Sequence, residues 1–122
     1  MEEERPKPES GSTDDINVEY ANNAAFDFTV WDLKLIFGEY SDRAKGIEWH
    51  TSITVPWALA KLMLYFLRLN VEAYEAQVGK IIVPPSMIPA EPVAPSNPDD
   101  QAAKTLFEII QRNRAKFLKE QI

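Results

Sequence analysis

The stretch Phe26-Asp27-Phe28-Thr29-Val30-Trp31-Asp32-Leu33-Lys34-Leu35-Ile36-Phe37 decides the fold. On either side of Val30-Trp31, apolar residues alternate with polar ones, the period of a half-buried strand. Phe26 and Phe28 share one side, with Asp27 and Thr29 on the other. Leu33, Leu35 and Phe37 then alternate with Asp32 and Lys34. A chain reversal at Val30-Trp31 sets Phe28 against Leu33 and Phe26 against Leu35, so every pair on that face is apolar. Val-Trp is poor chemistry for a tight two-residue hairpin, so a wider loop or a bulge is expected there.

Towards the N-terminus, Val18, Tyr20 and Ala24 keep the same phase, which carries the first strand back to Val18. Beyond the polar loop Ser41-Asp42-Arg43-Ala44-Lys45-Gly46, the residues Ile47, Trp49 and Ile53 alternate with Glu48, His50 and Ser52. A second turn near Asp42 pairs Leu35 with Trp49 and Phe37 with Ile47. It also lines up Asp27, Lys34 and His50 across the opposite face. The economical reading is an antiparallel meander of three strands.

Pro56 then suits the first turn of a helix, where its missing N–H costs nothing. That helix runs to about Val78, with Gly79 as a left-handed stop and Thr54 or Val55 as its N-cap. Lys61, Arg68, Glu72 and Glu75 form one narrow polar stripe, while residues such as Leu62, Phe66 and Leu69 occupy nearly all the rest. A helix lying on a small sheet needs an apolar arc a little over ~100° wide. This one is wider, so something besides its own sheet must cover the surplus.

After Gly79, Ile81-Ile82-Val83 reads as a short edge strand. Of the chain's 9 prolines, six then fall between Pro84 and Pro98, a composition that favours extended, polyproline-like backbone. A second helix follows, with Asn97 as N-cap, Pro98 in the first helical position, and Asp99 and Asp100 at the positive end of its dipole. Leu106, Phe107, Ile110 and Phe117 lie along its apolar stripe, whose expected task is to cover the first helix, in its own chain or in a neighbour. The expected fold is therefore α+β: a three-stranded antiparallel meander packed on one long helix, then a Pro-rich linker and a C-terminal amphipathic helix. Residues 1–16 read as a disordered acidic tail, 17–83 as the compact domain, 84–97 as the linker and 98–122 as the C-terminal helix.

Composition narrows the function. A formal net charge of −6 argues against nucleic acid, which demands a positive field, and against an anionic membrane surface. The most apolar run, Val55 to Leu67, falls short of a membrane span, and the polar start of the chain does not resemble a signal peptide. With Cys 0, disulfides, thiolate nucleophiles and cysteine-held metals are excluded. A cytoplasmic protein is expected.

The chain has no glycine-rich phosphate loop, nucleophile elbow or metal-binding histidine pair. His50, the one histidine, reads as a satisfied surface residue whose replacement is silent, and Asp27 opposite Lys34 as an ion pair. No cofactor and no enzymatic activity are expected. Trp31 stands at a turn, where no core position awaits it, and so qualifies as a contact anchor.

Tyr20-Ala21-Asn22-Asn23, Trp31-Asp32-Leu33, Ile36-Phe37-Gly38-Glu39 and the Pro-started helix carrying Asn70, Tyr74-Glu75 and Gly79 resemble a small bacterial and archaeal family known only as a domain of unknown function. The resemblance spans residues 18–83. It implies that Tyr20-Ala21-Asn22 and Phe37-Gly38-Glu39 are family features, and it carries no activity.

The leading expectation is a homo-oligomeric interaction module, a dimer or larger. Its candidate surface comprises Trp31, Leu62, Phe66 and Leu69, with Leu106, Phe107, Ile110 and Phe117 from the second helix. The alternatives are a binder of another protein or of extended polypeptide, by loose analogy with the SecB-type export chaperones, and a small enzyme of unknown class.

Overall fold

A computed structural model describes residues 11–120. The elements are β1 (Asn23–Phe28), β2 (Asp32–Ser41), β3 (Gly46–Pro56), α1 (Trp57–Gln77), a 3-10 turn at Pro85–Met87 and α2 (Gln101–Glu120). The strands form one antiparallel sheet in the order β1-β2-β3, so the fold is α+β with a meander. Most of the expected N-terminal tail, residues 1–10, lies outside the described residues. The chain divides into two compact units after Arg68, a boundary inside α1.

In the first unit the first hairpin has the register that the alternation implies: Phe28 pairs with Leu33, Asp27 with Lys34 and Phe26 with Leu35. The strand itself begins only at Asn23, so Val18 and Tyr20 stay outside it despite their phase. The turn is tight, and Thr29 explains how. Its Oγ1 accepts the N–H groups of Trp31 (3.0 Å) and Asp32 (3.1 Å) and donates to Asp32 Oδ1 (3.0 Å). Thr29 N–H also donates to Asp32 O at 2.9 Å. Lys45 is the one non-glycine residue with positive φ among those described, so Val30 and Trp31 avoid the left-handed backbone that primed hairpin turns require. A side-chain clasp replaces that chemistry. Thr29→Val keeps the shape and removes the clasp, so it is expected to cost about 1–3 kcal/mol in thermal unfolding, whereas Thr29→Ser retains wild-type stability.

The second hairpin departs from expectation. Leu35 pairs with Ile53, Phe37 with Thr51, Gly38 with Trp49 and Tyr40 with Ile47. A bulge opposite Phe37/Gly38 leaves His50 as the extra residue of β3. The inserted residue reverses the parity of the strand. Ile53 and Val55 share a face with Leu35 and Leu33, while Trp49 and Ile47 pass to the other face beside Gly38. The row Asp27, Lys34, His50 is therefore replaced by Asp27, Lys34, Thr54.

Among the described apolar residues, only Leu35 and Val55 are buried, each 6% exposed. Pro56 ends β3 rather than starting the helix, and Trp57 follows it with no connecting residue. Trp57 Nε1 donates to Thr29 O at 3.0 Å, and its ring meets Phe28 edge-on at 6.0 Å. Beyond that anchor, the part of α1 in this unit does not lie along the sheet, and no residue of α1 is buried. This corrects the expected packing of helix on sheet. A helix that starts directly where its strand ends has no loop in which to reverse over the strand's face.

In the second unit, α1 ends before Gly79, whose φ of +144° lies outside the range natural to other residues. The segment 81–83 forms no strand; instead Ile81 N–H donates to Glu75 Oε2 at 2.9 Å. Pro84 (φ −57°, ψ 145°) and Ile88 (φ −68°, ψ 131°) have polyproline-like backbone. Pro89, Pro92, Pro95 and Pro98 then recur every third residue, one ridge of such a helix.

This segment runs back along α2. Arg114 Nε donates to Pro89 O at 2.9 Å, and the same guanidinium lies 3.9 Å from Glu91. The N-cap of α2 is Asp100, whose Oδ1 accepts Ala103 N–H at 3.0 Å, while Asn97 Oδ1 accepts Asp99 N–H in the turn before it.

Candidate interaction surface

The sequence-proposed contact residues fall into two groups. Trp31 projects from the first hairpin, 83% exposed, held there by the Thr29 clasp. Leu62, Phe66 and Leu69 on α1, and Leu106 and Ile110 on α2, are likewise exposed. Phe107 and Phe117 are half-buried, on the side of α2 that also carries Arg114 and its bond to the linker. The proline-rich segment thus takes part of the task assigned in the sequence to the union of α2 with α1.

Sequence reasoning missed the sheet as part of this surface. On the face carrying Leu35, Phe26 is 66% and Phe28 67% exposed, and Ile53 is exposed too. The alternation in the sequence implies that α1 covers these side chains.

At one end of the sheet the N-terminal segment is tied down. Asn22 N–H donates to Gly38 O at 3.1 Å, and Asn22 Oδ1 accepts Tyr40 N–H at 2.8 Å. His50 Nε2 meets Tyr20 O at 2.9 Å, and its Nδ1 meets Thr51 Oγ1 at 2.7 Å. Tyr20-Ala21-Asn22 and Phe37-Gly38-Glu39 are thereby brought together, with the bulge residue as their clip. A cleft of about 420 Å³ opens there, lined by Glu19, Ala21, Phe37, His50 and Ile53 among others. Both imidazole nitrogens are engaged in these contacts. His50→Ala should therefore not be silent. Amide exchange at Ala21 and Asn22 is expected to accelerate, with a stability loss of about 1 kcal/mol for the lost hydrogen bond; unchanged protection would show that the clip does not hold the segment.

Among the described residues, no three His, Cys, Asp or Glu side chains gather as a metal site, and no helix is long and apolar enough to cross a membrane. Compared with known protein families, with curated proteins and with solved structures, the chain matches none.

Proposed function

We propose that the protein is a non-enzymatic, cytoplasmic interaction module whose principal partner is a second copy of itself. The observation that carries this reading is α1: 21 residues, most of them apolar, without one buried residue. A folded chain that leaves such a helix in water bears an uncompensated cost, and association is the general way to remove it.

Light scattering on size-exclusion chromatography tests the reading directly, with a dimer or larger expected across the micromolar range. A monomer would turn the reading towards a foreign polypeptide as occupant, and the open sheet face around Phe26 and Phe28 favours that second reading.

A further inference from the structure

We infer that the two copies exchange their helices, with α1 of each chain lying on the Phe26–Phe28–Ile53 sheet face of the other. This rests on the self-association proposed above and names the surfaces that meet. Within one chain there are two large apolar surfaces of complementary type. One is a twisted sheet face with Phe26, Phe28 and Ile53 exposed around Leu35. The other is a helix with Leu59 and Leu62 on one face and Leu64 and Leu67 on another, all exposed.

Three symmetric arrangements can join two such chains. Helix on helix leaves both sheet faces in water. Sheet on sheet leaves both helices in water. Helix on sheet, made twice about a two-fold axis, covers both surfaces with one kind of contact, and the repeat closes the assembly. The width of the apolar arc fits the third arrangement, because one face of α1 can meet the partner's sheet while the other meets the partner's α1. The junction at Pro56–Trp57 fits it as well: without a loop, α1 leaves its own sheet and becomes available to a neighbour.

The absence of cysteine from the chain makes the test clean. Full-length chains carrying Phe26→Cys and Leu62→Cys, with tags of different length, are co-expressed and treated with a short bis-maleimide. A small apolar thiol at either position keeps the surface apolar. Exchange predicts that the mixed dimer, one chain of each kind, is linked at least five-fold more than either like pair. Predominant linking of Leu62→Cys to itself would overturn the exchange in favour of helix on helix, leaving self-association intact. A dimeric mass without any of these links would also overturn it, by placing the interface elsewhere. A monomeric mass for the unmodified chain would remove the proposed function and the exchange together.

Discussion

A Gly38→Ala chain is expected to melt roughly 10–15 °C below the wild type, a loss of about 3 kcal/mol. A Cβ built at Gly38 would lie 2.6 Å from Glu48 O, 2.8 Å from Trp49 Cε3 and 2.9 Å from Ile47 Cγ2. Side chains can swing away from a methyl group, but the Glu48 carbonyl belongs to the neighbouring strand and moves only if the ladder opens. The crowding originates in the bulge. By inserting His50, β3 turns Trp49 and Ile47 onto the face where Gly38 sits, and their bulk fits only because Gly38 has none. The same opening would disturb Gly38 O, which accepts Asn22 N–H, so the N-terminal segment should loosen in parallel. Gly46→Ala is the control, because its nearest contact would be Ala44 O at 4.0 Å. Equal melting of the two variants, followed by circular dichroism, would sink the account of the bulge.

That bulge also marks where the sequence stopped being legible. The first hairpin could be read residue by residue, since Phe26, Phe28, Leu33 and Leu35 need one common face and a reversal at Val30-Trp31 alone provides it. Thr29 and Asp32 carry the turn, but only as a pair, and neither announces it alone. In β3, Ile47, Trp49 and Ile53 look like an unbroken alternation. An alternation reads straight through an inserted residue when both faces hold apolar side chains, and here both do. Pairing Leu35 with Trp49 was the natural error.

The helix shows the complementary limit. Its apolar excess is visible in the residues, because composition and spacing are local properties. That the helix leaves its own sheet is set by the length of the junction at Pro56–Trp57, which leaves no periodic trace. For the same reason the composition of the proline-rich segment suggests no more than a spacer. The third-residue recurrence of Pro89, Pro92 and Pro95 suits a ridge, but Arg114, twenty-five positions from Pro89, supplies the bond that folds it back.

Leu62→Asp is expected to convert the assembly into monomers, and its magnitude follows from symmetry. Leu62 is 49% exposed in the single chain, so the substitution costs the isolated fold little. In an assembly that buries α1 it removes about 1.5–3 kcal/mol of leucine burial and adds the desolvation of a carboxylate. Taking ~3 kcal/mol per site, a two-fold interface contains the change twice, about 6 kcal/mol in all, which weakens dimerisation by roughly 10⁴-fold. A nanomolar assembly would then have a Kd of about 10 μM, so a chromatography run at about 1 μM would show mostly monomer where the wild type stays assembled. Lys61→Asp, one position away on the polar stripe, changes charge by more and should leave the mass unaltered. The pair thereby separates burial from electrostatics. Loss of assembly in both variants would implicate general charge repulsion in a chain already at −6, and loss in neither would mean that α1 is not the surface through which the copies meet.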